Sequence, residues 1–168
     1  MELAAAVCGL YCEACSWFIA TTEKPERLKR LAAELHFSSE ESRCYGCRSG
    51  KRLPYCENCK MAACAAERHV NFCNECEEYP CNELKQFQSA MPHRIELWTN
   101  LERIKSVGYQ QWLKEIREHY SCQQCQSINS TYDQKCRKCG QEPSCNYVAK
   151  HKQAIERYLK NKHSITSQ

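Results

Sequence analysis

A chain of 168 residues with 16 cysteines suits one ordinary domain or two small ones, and its sparse valine, isoleucine, leucine and phenylalanine leave apolar burial alone a marginal source of stability. No stretch approaches the roughly 18 apolar residues of a membrane helix, and the start, MELAAAVCGLYCEAC, lacks the basic segment of a secretory leader, so the thiols read as cytoplasmic and reduced. The formal charge of +4 is a weak argument for nucleic acid: an ion held by four thiolates carries −2, and four such sites would bring the total to about −4.

In chain order, residues 1–43 hold Cys8, Cys12 and Cys15 and then a helix. Thr22 is its expected N-cap, Pro25 lies in its first turn, and Leu28, Leu31 and Leu35 recur at helical spacing. Residues 44–81 are the cysteine-dense centre. Residues 82–120 read as helical, with Leu84 and Phe87 first and Pro92 opening a helix that carries Leu97, Trp98, Leu101 and Ile104. Gly108 is the expected stop, after which Trp112, Leu113, Ile116 and Tyr120 form a new face. Residues 121–168 hold the last cysteines and a closing helix, with Ser144 as the expected N-cap and Val148, Ile155 and Leu159 on one face. The predicted architecture is mainly α with small metal-stabilised irregular and β elements. It comprises a cysteine-rich, multi-zinc body over 1–120 and a C-terminal zinc ribbon with its helix over 121–168.

Six Cys-x2-Cys pairs give the chain metal-ligand spacing. Cys122-x2-Cys125-x10-Cys136-x2-Cys139-Gly140 is the clearest set. Two knuckles on a short hairpin supply four thiolates, with Ile128 and Tyr132 as short strand edges, and this resembles a zinc ribbon closed by its own ligands. Mononuclear iron fits the same four sulfurs. Cys8-x3-Cys12-x2-Cys15 has the spacing of a radical S-adenosylmethionine loop without the strand and barrel such a loop requires, and a fourth ligand from Cys44 or Cys47 accounts for it more simply. Cys56-x2-Cys59-x4-Cys64 recurs 17 residues on as Cys73-x2-Cys76-x4-Cys81. His69 stands at knuckle spacing after Cys64, yet about 140° from it on a helix. The second unit needs a ligand from elsewhere, Cys145 or water. Sixteen cysteines divide into four sites of four, and iron–sulfur clusters also take four each. The ferredoxin run is missing, since Pro80 precedes Cys81 rather than following it.

Together, Cys8-Gly-Leu-Tyr-Cys12-x2-Cys15, Cys44-x2-Cys47, Cys56/Cys59, Cys64-Ala65, Cys73-Asn-Glu-Cys76-Glu-Glu-Tyr-Pro80-Cys81, the Asn100–Leu113 segment and the terminal ribbon resemble an uncharacterised cysteine-rich prokaryotic family, domain of unknown function 3795. The resemblance runs from about residue 5 to about residue 140. It implies metal binding and an intracellular bacterial or archaeal source, and it supplies no catalytic residues.

The expected function is therefore that of a structural-zinc interaction module with several zinc ions and a protein partner. A metal- or thiol-dependent enzyme, for which His93 and His119 are the free histidines, and an iron–sulfur redox protein are the alternatives. The segment 122–168 carries eight Lys and Arg against three Asp and Glu, enough for weak contact with nucleic acid but more simply a solvated helix. No membrane contact is expected.

Overall fold

The computed structural model describes residues 4–88 and 91–166. Residues 1–3, the start of the stretch weighed as a leader, lie outside them. The described residues are mostly helical, and their extended pairing reduces to two isolated bridges, Ala5 with Tyr11 and Ser121 with Ile128. Ile128 is thus a strand edge one bridge long. Tyr132, expected to be another, lies in a turn, where its ring meets His93 and Tyr158.

The first helical pair is α1 (Ser16–Glu23) and α2 (Pro25–Glu34). Pro25 opens α2, its missing N–H falling where a helix needs none. Thr22 is not the cap. The chain is already helical from Ser16, and the Thr22 hydroxyl donates to the Phe18 carbonyl inside α1. Leu28 and Ala32 are buried on α2, whereas Leu35 is 39% exposed because the helix has ended at Glu34. Its end is a Schellman turn: His36, at φ 58, donates to Ala33, and Phe37 donates to Ala32.

Two short helices, α3 (Pro54–Glu57) and α4 (Lys60–Glu67), cross the cysteine-dense centre, and α5 (Asn82–Gln88) follows it. Next come a 3-10 turn at Pro92–Arg94 and a hairpin of α6 (Leu97–Val107) and α7 (Tyr109–Tyr120), joined at Gly108. Leu97, Leu101 and Ile104 on α6 face Trp112, Ile116 and Tyr120 on α7, all buried at helical spacing. Each such side chain contributes about 1.5–3 kcal/mol by leaving water. The Trp112 indole N–H reaches Asn100 Oδ1 at 3.4 Å.

The N-terminal cysteine loop lies on this hairpin. Gly9 sits at φ 80, and a Cβ there would stand 3.0 Å from Leu101 Cγ, so both backbone conformation and clearance demand glycine. Tyr11 then meets Trp112 edge-on, with centroids 6.3 Å apart.

The chain closes with α8 (Asn146–Lys150) and α9 (Lys152–Thr166). Cys145, not Ser144, is the N-cap residue of α8. Ser144 is fully buried and its N–H donates to the Gln134 carbonyl. Tyr147 stacks on Tyr120 at 4.7 Å and donates its hydroxyl proton to the Pro92 carbonyl at 2.5 Å. With Val148 and Ile155 buried beside it, one continuous core runs from Ala5 to Ile155, across the 120/121 boundary.

Candidate metal centre

The sulfurs of Cys122, Cys125, Cys136 and Cys139 all lie within 4.8 Å of one another. Two opposite edges are 3.6 Å (Cys122–Cys139) and 3.5 Å (Cys125–Cys136). A tetrahedral ion bonded at about 2.3 Å to four sulfurs spaces them by about 3.8 Å, so the set has the size for a single ion. Among the described residues this is the one group of three or more Cys, His, Asp or Glu side chains that converges so tightly.

Two copies of one backbone turn build it. Cys122 donates its N–H to Ser127 O and accepts from Gln126 N–H, both at 2.9 Å. Cys136 likewise donates to Gln141 O at 2.8 Å and accepts from Gly140 N–H at 2.9 Å. In each turn the residue after the second cysteine is left-handed, Gln126 at φ 58 and Gly140 at φ 80. This bend turns the amide hydrogens inward to the sulfurs. Burial would raise the Cys136 thiol, yet the Cys139 and Lys138 N–H groups, with the neighbouring thiols, bring it down to about 5. The Gln141 backbone bond would lower Cys139, but the bonds to Cys125, Cys122 and Cys136 push it up to about 12, so the four sulfurs ionise together only around a cation.

Sequence reasoning missed the side chain that fastens the two turns. Asn129 is fully buried. Its Nδ2 donates to Ser127 O (2.9 Å) and Ser144 O (3.1 Å) and lies 3.7 Å from Cys136 Sγ, while Oδ1 accepts from Arg137 N–H at 3.0 Å. No motif flags it, because a polar residue in a hairpin ordinarily faces water. The ribbon is also tied to the first helices. Arg137 grips Glu23 with two bonds of 2.6 and 2.8 Å, and Arg27 pairs with Asp133 at 2.9 Å with both side chains largely covered.

All sixteen cysteines are free thiols. Those of the N-terminal region gather into two neighbourhoods. In the first, Cys12-x2-Cys15 forms a 3-10 turn under Cys44 and Cys47. Cys47 N–H lies 3.4 Å from Cys12 Sγ, and a Cβ on Gly46 would meet Cys12 at 3.7 Å. The Cys12 thiol bonds to Cys47 and, with Arg52 and Arg48 nearby, lowers Cys47 to about 7 despite burial. Burial and then the charges of Cys47, Cys44 and Cys15 push neighbouring Cys56 up to about 12. Cys8 stays buried between the neighbourhoods, facing Cys47, Cys73 and Cys59. In the second, Cys73-x2-Cys76 repeats the 3-10 turn. Burial, then Cys81, Cys64, Cys59 and Cys76, raise Cys73 to about 12. Thiols that obstruct one another's ionisation in this way need a cation to ionise together.

Cys145 does not complete the second unit. It is buried at the start of α8 beside Ser144 and near Tyr120 and Asp133. His69 is exposed at φ 54, where its N–H donates to Ala66 and closes the Schellman turn of α4. The two histidines considered for catalysis are engaged. His93 Nδ1 meets the Tyr132 hydroxyl at 2.7 Å, and Nε2 accepts from Arg94 at 3.3 Å. Burial and then Arg94 depress the ring to about 4. His119 Nε2 stands 3.0 Å from Glu96 Oε2.

Among the described residues these features define a cysteine-rich, mostly helical chain with one four-thiol group of the size to hold a metal ion. Residues 4–86 match the family described as Protein of unknown function (DUF3795), and the chain is similar to that family over this segment. The match covers both N-terminal neighbourhoods and stops short of the residue-140 limit of the resemblance, leaving the ribbon outside it. No curated protein and no solved structure matches the chain. No helix among the described residues is long and apolar enough to cross a membrane.

Proposed function

We propose that this chain is a cytoplasmic zinc-binding protein in which metal fixes the backbone of an interaction module. The observation that carries the reading is the convergence of Cys122, Cys125, Cys136 and Cys139 with edges of 3.5 and 3.6 Å. Four thiolates fill a tetrahedral ion and leave no position for water or substrate, which is the mark of a structural zinc site rather than a catalytic one. Zinc in such a ribbon contributes directly to folding. Cys12, Cys15, Cys44 and Cys47 are the residues for a second ion, in line with the contact between Cys12 and Cys47.

A protein partner is favoured by two exposed tyrosines of the cysteine-dense centre, Tyr45 in a loop at 46% and Tyr55 on α3 at 57% exposure. Aromatic side chains presented on a rigid frame are typical anchors of protein interfaces. The basic closing segment gives nucleic acid a secondary, salt-sensitive role without base reading. Elemental analysis of chain purified without air tests the proposal. At least two zinc ions per chain are expected, and one metal or none, with the remaining thiols free to alkylate, contradicts it. A mobility-shift series tests the partner class: tight, sequence-selective binding at physiological salt would contradict the protein-partner reading.

A further inference from the structure

Cys64, Cys73, Cys76 and Cys81 line one cavity of about 300 Å³, together with the apolar side chains of Met61 and Leu84. The chain brings them there from three places. Cys64 projects from α4, Cys73 and Cys76 bracket a 3-10 turn, and Cys81 precedes α5. The grouping crosses the 17-residue repeat, taking the last cysteine of one unit and all three of the next.

This site differs from the ribbon in kind. The ribbon sulfurs converge on a point, and these do not. They stand around a space instead, with apolar walls and a rim of two ion pairs, Lys60 with Glu83 and Arg68 with Glu78. Arg68 Nη1 lies 3.5 Å from Cys76 Sγ while its other nitrogen pairs with Glu78 at 2.6 Å. One tetrahedral ion draws four sulfurs into edge contact. A polynuclear cluster keeps its cysteine sulfurs farther apart, because several irons and inorganic sulfides come between them. Its potential responds to nearby charge and hydrogen bonds to sulfur.

We propose that Cys64, Cys73, Cys76 and Cys81 are the four ligands of an iron–sulfur cluster, with Arg68 as the positioning residue that donates to the Cys76 sulfur. The site is independent of the zinc ribbon. It adds a redox-active group to the structural module, and Cys64, the exposed ligand, places one edge of the cluster toward solvent.

The test is anaerobic reconstitution of the full chain with ferric iron, dithiothreitol as the reductant and sulfide, followed by iron, sulfide and zinc analysis and a visible spectrum. The native chain is expected to take up iron and acid-labile sulfide in equal amounts and to show a visible band that bleaches on reduction. Cys64→Ser, at an exposed helix position, loses the band and keeps its zinc; Cys139→Ser keeps the band and loses a zinc. Arg68→Gln retains the cluster and lowers its midpoint potential, since the guanidinium charge favours the reduced, more negative form. A colourless native chain, a band that survives unchanged in both Cys64→Ser and Cys73→Ser, or stoichiometric zinc in place of iron at these cysteines would each overturn the proposal. None of these results touches the ribbon, whose failure would appear only in Cys139→Ser.

Discussion

Gln126 and Gly140 occupy the same place in two matching turns, and only one of them is glycine. A left-handed residue with a Cβ costs roughly 1–2 kcal/mol relative to its right-handed form, and a Cβ added at Gly140 meets nothing within 4 Å, so backbone strain is the whole penalty there. Gly140→Ala is expected to lower stability by about 1 kcal/mol, and Gln126→Gly to raise it by somewhat less, because glycine also frees the unfolded chain. Urea midpoints of the metal-loaded chain check both signs. Asn129→Ala removes three bonds at a fully buried position and strands the Arg137 N–H and two carbonyls. A loss of about 3 kcal/mol is expected, since each buried group left unpaired costs about 1–3 kcal/mol. Faster zinc transfer to a chromophoric chelator should accompany it.

At the scale of elements, Cys-x2-Cys spacing was legible as metal chemistry, but the turn it makes was not. The same spacing gives a 3-10 turn at Cys12–Cys15 and Cys73–Cys76 and a sulfur-directed knuckle at Cys122–Cys125 and Cys136–Cys139. The residue after the second cysteine decides between them. A left-handed residue bends the chain back, whereas Ser16 starts a helix. Helix existence was readable from the Leu97–Ile104 and Trp112–Tyr120 faces because the burial there is periodic. The start of α1 was not, because Trp17 to Ala20 are apolar without a stripe. The Glu96 latch escaped for another reason: its partners are more than 20 residues away. Glu96 is buried where α6 begins, and its carboxylate meets His119 at the end of α7 and Lys150 and His151 at the end of α8. Burial would raise the acid, but His119, Lys150 and His151 hold it down at about 2. A depressed carboxyl stabilises the fold fully above its unfolded pKa, near 4.3, and loses that contribution as pH falls toward 2. Glu96→Gln should therefore be less stable than the native chain above about pH 4.5, the difference narrowing below it. Metal release in acid weakens both chains alike, so the difference between their urea midpoints across the pH series reports Glu96.

Across the whole molecule, the division at residue 120 matches the motifs, and the packing runs through it. Tyr120 against Tyr147, Arg137 on Glu23 and Arg27 on Asp133 bind the residues after 120 to those that precede them. A double-mutant cycle of Arg27→Ala and Asp133→Ala is expected to show a coupling of about 1–2 kcal/mol, within the range for partners in one network. Zero coupling would mean that this pair does not help to fasten the ribbon to the first helices. The long-range pairs that make this frame carry no local signal, which is why motif order revealed the metal ligands and not what holds them together. The function proposed for this chain depends most on its four ribbon sulfurs holding one zinc ion. Elemental analysis of the full chain beside Cys125→Ser/Cys139→Ser, in which both replaced thiols are exposed, tests that most directly. One zinc fewer per chain, with the remaining metal unchanged, is the predicted result, and equal zinc in the two proteins would contradict it.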